Sequence, residues 1–224
     1  MKKYKYEMHA HTSEVSRCGR ISAAELVQTY KEYGYTGVFI TDHFLNGNTT
    51  VPQYLPWEER IELFCHGYRK AFEEGQKIGI DVFFAWEYSY KGTDLLTYGL
   101  DWKWLLKHPE IMEISVNQYC ELVRREGGFL VHAHPFREAE YIDMIRLMPR
   151  IVDAVEVDNA CRTDFENRLA EQYADNYGLL KIAGSDNHNG RLPRFSGLEF
   201  DEPVKSVEKM LSEIKAGKAG LFSI

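Results

Sequence analysis

Residues 37–43, GVFITDH, set an apolar run directly against an acid, Asp42, and an imidazole, His43. A run of this kind without polar alternation suits a strand covered on both faces, the setting of a parallel sheet. The same arrangement recurs outward along the chain. Tyr4 to Met8 leads into His9-Ala10-His11, DVFFAW (81–86) into Glu87, and FLV (129–131) into His132-Ala133-His134. AVEVDN (154–159) carries Glu156 and Asn159, and LLKIAGSDNH (179–188) ends on Asp186 and His188. A weaker apolar run lies at 95–100.

Helix-like segments fill the intervals. Ser22 and Glu25 form a capping box for the segment that Gly34 closes. A long helix is expected from Trp57 to Lys77, helical segments run up to Glu126, and Gly127-Gly128 ends them. A short helix is expected near Tyr141–Met148, another over Asp164–Tyr177 before Gly178, and a last one over Ser206–Ala216 before the apolar end LFSI. The aromatic segment from Tyr88 to Trp104 is expected as a loop that packs inward or forms a lid. About seven β-then-α units in one domain spanning 1–224 argue for a parallel α/β architecture. Nearly every strand end carries a polar group, and only a (β/α) barrel brings all those ends to one mouth. An open sheet would concentrate them at a single switch point.

The composition narrows the function. The chain has 224 residues, 44% hydrophobic and 27% charged, which supports a packed core. No apolar run is long enough to span a bilayer, and Lys2-Lys3 lead into no apolar stretch of a secretory signal. Net charge is −7, from 27 basic and 34 acidic residues without a basic run, which argues against extended nucleic acid as a partner. Cys18, Cys65, Cys120 and Cys161 form no C-x-x-C and read as reduced thiols of a cytoplasmic protein.

Of the eight histidines, only His66 and His108 fall away from the strand ends. Along a strand, residues two apart point to one side, so His9/His11, His132/His134 and Asp186/His188 can each present two donors together. Imidazole with carboxylate suits Zn, Mn or Fe, and the lack of thiolate pairs argues against a structural zinc. Glu87, alone at its strand end, is placed to bridge two ions, whereas His132 also reads as a hydrogen-bonded core residue.

HAHTSE, TDHF, a lone glutamate after the third strand, HAHP and GSDNH, in that order from His9 to His188, resemble the PHP (polymerase and histidinol phosphatase) family. The resemblance implies a distorted seven-stranded (β/α)7 TIM-like barrel, two or three divalent ions at its mouth, and phosphoester hydrolysis. It also implies that His9, His11, Glu87 and Asp186 hold a first ion, that Glu87 and His134 hold a second, and that His43 and His188 hold a third. The chain departs from the family pattern in two places. Asp94 or Leu96 stands where many members have a histidine, and SEVSRCG (13–19) stands where many have an acid or histidine. There Glu14 is a candidate ligand and Arg17 a candidate phosphate binder.

The expected activity is hydrolysis of a small phosphorylated metabolite, as in a histidinol-phosphatase-like phosphomonoesterase, by metal-activated water. Glu87 and Asp186 would hold the ions, His43 or His188 would protonate the leaving oxygen, and Arg17, Arg137, Arg191 and Arg194 would bind phosphate. Three rival readings remain: a phosphodiesterase, exonuclease or nucleotide phosphatase, an amidohydrolase cleaving C–N bonds, and a metal-binding domain without catalysis.

Overall fold

The computed structural model describes residues 3–224. Among them, ten strands form two five-stranded sheets rather than the closed seven-stranded barrel expected from the sequence. The first sheet has the order β10-β9-β1-β2-β3, built from β1 (Tyr4–Glu7), β2 (Tyr35–Ile40), β3 (Asp81–Phe84), β9 (Ser196–Phe200) and β10 (Gly220–Ser223). The second runs β4-β5-β6-β7-β8, from β4 (Trp86–Tyr90), β5 (Thr93–Tyr98), β6 (Phe129–Ala133), β7 (Ala154–Asn159) and β8 (Leu180–Gly184).

Antiparallel segments break the βα rhythm that a barrel needs. Lys91 (φ 48°) and Gly92 (φ 81°) form a tight turn that returns β5 along β4, so the aromatic segment is mostly a hairpin. Two residues at positive φ are the usual two-residue hairpin link. β5 then pairs antiparallel with β6, while β9 pairs antiparallel with both β1 and β10. Only β1-β2-β3 and β6-β7-β8 keep the parallel pairing of the expected fold. Isolated bridges join the two sheets: Ala10 to Asn187, beyond the carboxyl ends of β1 and β8, and His43, just past β2, to Glu87 near the start of β4.

Between the sheets, Tyr6, Met8, Phe39, Leu96, Tyr98, Val131 and Ile182 form a continuous core that Met210, Leu211 and Ile214 of α7 (Val207–Lys215) close at one side. The Ser22 capping box starts α1 (Ala23–Glu32) as expected, and Thr163 with Glu166 starts α6 (Asp164–Tyr177) in the same way. The long helix expected after Trp57 is two: α2 (Trp57–Phe64) and α3 (His66–Ile78), parted at Cys65. The first turn of α3 runs hard against the site, where a Cβ on Gly67 would lie 2.6 Å from Asp42 Oδ2. α4 (Trp102–Lys107) and α5 (Val116–Arg125) cover the second sheet. The helix expected near Tyr141–Met148 does not form: the β6–β7 connection is irregular, with Tyr141, Met144, Ile145 and Leu147 exposed. No helix among the described residues is long and apolar enough to cross a membrane.

Candidate metal centre

The loops that follow the parallel strands carry all of the cluster except Glu87. His9 and His11 follow β1, His43 follows β2, Glu87 lies in β4, His134 follows β6, and Asp186 and His188 follow β8. All but His188 are buried. Two of them sit in strained backbone, His134 at φ 27° and Asp186 at φ 52°. Non-glycine residues in that region mark sites where the surroundings enforce the conformation. The turn at His134 also separates it from His132. β6 ends at Ala133, so the same-side pairing expected of His132 and His134 fails, and His132 Nε2 meets Thr93 Oγ1 at 2.8 Å inside the core. Burial, with His134 nearby, lowers the His132 imidazole to about 3.

Glu87 lies among four imidazoles. Its Oε1 lies 3.4 Å from His9 Nε2 and 3.2 Å from His134 Nε2, and its Oε2 lies 3.7 Å from His11 Nε2 and 2.6 Å from His43 Nδ1. Asp186 Oδ1 is 3.5 Å from His9 Nε2 and 3.4 Å from His11 Nε2. Donors on one tetrahedral ion with bonds near 2.05 Å stand about 3.3 Å apart, close to most of these separations. The donor atoms fall into three overlapping sets: His9/His11/Asp186, His9/Glu87/His134 and His11/His43/His188. His9 Nε2 and His11 Nε2 are buried without a hydrogen-bond partner, and His43 Nδ1 and Glu87 Oε2 are buried facing only each other. Buried polar atoms are rarely left so, and a cation is the partner that fits a cluster of lone pairs. The donor set therefore fits divalent ions.

A further layer of side chains orients the rings. Glu156 Oε1 meets His9 Nδ1 at 2.9 Å, and Ser16 Oγ meets His11 Nδ1 at 3.1 Å, which leaves both Nε2 atoms aimed into the cluster. Ser16 is held in turn by Asp42, which also accepts from the Thr12 amide and hydroxyl. Burial raises the Asp42 carboxyl to about 6 despite these donors. Glu7 accepts from the His9 amide and from Ser185, and burial lifts its carboxyl to about 7. Burial opposes charge on Glu87 as well, but His43 and His134 outweigh it and hold that carboxyl well below its ordinary value. Asp186 is held low in the same manner by His9 and His11. For His9, burial is outweighed by Glu156 and Asp186, so its ring is raised, whereas burial and the neighbouring His188 and His43 lower His11.

A cavity of about 590 Å³ opens over the cluster, lined by His43, Asp186, His188, Cys18, Asp94 and Arg137, and also by Arg162 and Cys161. Of the four arginines expected there, only Arg137 lines it, with its Nη2 2.7 Å from Asp94 Oδ2. Asp94, where the family pattern led to the expectation of a histidine, is thus tied up in an ion pair. Arg17 points outward and donates to Thr49 O, and Arg191 pairs with Glu32 at the surface. Arg194 pairs with Asp158 beside a different cavity. Glu14 does not reach the cluster: its Oε2 accepts the Ala23 amide and its Oε1 faces Lys70, so it serves the start of α1. The sequence reading missed Arg162 and Cys18. Their only sequence signals were a position three residues past the Asn159 strand end and, for Cys18, a place in SEVSRCG, the stretch where the resemblance implied an acid or histidine.

Two packed sheets with a buried histidine–carboxylate cluster where they join define an α/β domain with a candidate metal centre. The PHP domain family model matches residues 7–219, and the chain belongs to that family. No curated protein matches the sequence. Among solved structures, the chain resembles a two-domain protein of Bacteroides vulgatus containing a predicted PHP-like metal-dependent phosphoesterase, at 14% identity and TM-score 0.72. That match covers 99% of this chain but 65% of the other, so this chain spans less than two thirds of that protein. It also resembles PsfC of Pseudomonas syringae (15% identity, TM-score 0.61, 100% and 92% of the two chains). An amidohydrolase of Chromobacterium violaceum with bound sulfate and no metal is similar as well (14% identity, TM-score 0.58, 96% and 97%). At these identities the likeness is one of fold.

Proposed function

We propose that this PHP protein hydrolyses a phosphomonoester of a small molecule. The observation that carries the reading is the pair of guanidinium side chains, Arg137 and Arg162, in the wall of the cavity over the cluster. Two guanidinium groups lining one cavity suit the recognition of a terminal phosphate. Two or three divalent ions, Zn, Mn or Fe, held by His9, His11, Glu87, His134, Asp186, His43 and His188, would supply Lewis-acid charge and activate water.

The protein's own groups do the rest. Arg137 would bind the phosphoryl oxygens, and its pairing with Asp94 fixes the plane of its guanidinium. Burial works to lower the Arg137 pKa, but Asp94 and Glu87 outweigh it, so the group stays charged. Arg162 would grip the same phosphate from the Asn159 side. His43 and His188 face donor atoms of the cluster and are assigned to holding a cation in preference to protonating the leaving group.

A C–N hydrolase acting on neutral substrates would have no anion for these two guanidinium groups to bind. A net charge of −7 without a basic run argues against a long nucleic-acid substrate. The test is Arg137→Lys and Arg162→Lys in the metal-replete protein, assayed on a phosphomonoester and its diester. We expect monoester KM to rise about tenfold or more in each, as for loss of a forked ion pair. Unchanged monoester kinetics in both variants would contradict the reading.

A further inference from the structure

We propose that Cys18 is a thiolate ligand to the cation position formed by His11, His43 and His188, and that it biases this one position toward zinc over manganese. The inference rests on the metal-centre reading above and adds a donor that neither the motifs nor the family resemblance assigned.

The geometry starts from the loop. Residues 12–21 have no regular structure, yet backbone hydrogen bonds pin them. Ser16 donates to Thr12 O, Gly19 to Ser16 O, Arg17 to Asn48 O, and Arg20 to His188 O at 2.7 Å. A Cβ on Gly19 would lie 2.6 Å from Thr12 O, so the backbone closes on itself there as only glycine permits. Cys18 is therefore presented from a fixed turn, tied through Arg20 to His188.

Cys18 Sγ lies 3.1 Å from His43 Nε2 and faces His188 as well. A sulfur and an imidazole nitrogen sharing one tetrahedral ion stand about 3.6 Å apart, given bonds near 2.3 and 2.05 Å. The observed spacing is slightly inside that distance, as for an edge that opens a little when filled. An independent observation points to a cation beside the same imidazoles; Cys18 lies outside the set of donors that already converge there, so its sulfur has to close in on the ion when it binds. His11 Nε2 is fully buried without a hydrogen-bond partner and lies with His43 and His188 in one set of converging donors. The thiol is half-buried in the cavity wall, so it is open to an incoming ion. On binding, the sulfur–proton bond breaks, the proton passes to solvent, and the sulfur lone pair takes the ion. A thiolate among imidazoles favours zinc, whereas manganese favours oxygen donors. The two sets that contain Glu87 or Asp186 have no thiol and lack this bias.

The test is titration of metal-free protein with Co(II), read by absorption. Wild type is expected to develop visible d–d bands together with a near-ultraviolet sulfur-to-cobalt charge-transfer band. Cys18→Ser is expected to lose the charge-transfer band, keep d–d bands from the other positions, and bind zinc at one position about 10–100-fold more weakly, with manganese barely affected. A measurement without substitution guards against a variant that fails to fold. In wild type, Zn(II) is expected to slow iodoacetamide labelling of Cys18 about tenfold or more relative to metal-free protein, followed by peptide mass spectrometry with Cys161 as comparison. Cobalt bound with d–d bands but no charge-transfer band, or Cys18 labelled equally with and without zinc, overturns the thiolate and leaves the metal centre standing. A band that survives in Cys18→Ser and vanishes in Cys161→Ser overturns it in favour of Cys161. No cobalt spectrum at all overturns the metal centre and the thiolate together.

Discussion

His9 is gripped from two sides: Glu156 holds its Nδ1 at 2.9 Å, and Glu7 accepts its amide. A carboxylate behind a metal-facing imidazole fixes the ring and raises its basicity. Glu156→Gln is therefore expected to weaken zinc binding about 10–100-fold, measured by chelator competition, with the fold intact by circular dichroism. Equal affinity would show that His9 needs no such support. Gly184 bears on the same pair, because a Cβ there would lie 2.7 Å from His9 Cβ and 2.8 Å from Glu156 Oε1. Gly184→Ala should cost about 1–3 kcal/mol in urea denaturation and weaken metal binding as well. Unaltered stability and affinity would mean that β8 yields freely. At this scale the cluster was readable from strand-end spacing, because ligands placed by short local turns leave a local trace. Arg162 and Cys18 were not, since their position depends on where irregular loops fold back. Period-two spacing misled at His134, where the chain leaves the strand before the second histidine.

α5 locks onto the β4–β5 hairpin through one hydroxyl. Tyr119 Oη accepts from Trp86 Nε1 at 2.8 Å and lies 2.7 Å from Thr97 Oγ1, while its ring stacks on Tyr88 at 3.7 Å. All of these groups are buried. Tyr119→Phe would strand the indole N–H in the core, at a cost of about 1–3 kcal/mol. A urea midpoint indistinguishable from wild type would contradict that coupling. The hairpin matters to the site because it carries Glu87 and Asp94 on adjacent strands. Its aromatic run looked like a loop or lid because apolar alternation was masked by residues buried on both faces. The two-residue turn at Lys91-Gly92 lacks the asparagine or aspartate that usually announces such a link. The irregular 134–153 connection was likewise unreadable as such, because Tyr141 to Met148 has a helix-like composition but no buried face to pack it.

Across the whole molecule, the parallel segments were legible and the division into two sheets was not. Alternating runs of β and α are read locally, whereas closure depends on how β4, β5, β9 and β10 pair at long range. Burial at this scale has a consequence in alkali. Cys65 and Cys120 are buried, and burial pushes each thiol up to about 12 against an ordinary value near 8.5. Above about pH 8.5 the unfolded chain releases these protons and the folded chain keeps them, so stability is full below that pH and falls toward pH 12. By pH 10 the loss is about 2 kcal/mol per thiol, and Cys65→Ala with Cys120→Ala should flatten the decline in urea midpoint between pH 8 and 10. An identical decline in the double variant would contradict this assignment.

On the reading proposed above, the buried histidine–carboxylate cluster is a metal centre that hydrolyses phosphoesters. This is tested most directly by p-nitrophenyl phosphate turnover, with metal content measured on the same samples, before chelation, after chelation and after adding Zn, Mn or Fe back. Bound divalent ions are expected, with loss of turnover on their removal, return of both on reconstitution, and absence of both in His9→Ala with His11→Ala. Turnover that persists in metal-free protein, or in that double variant, would contradict it.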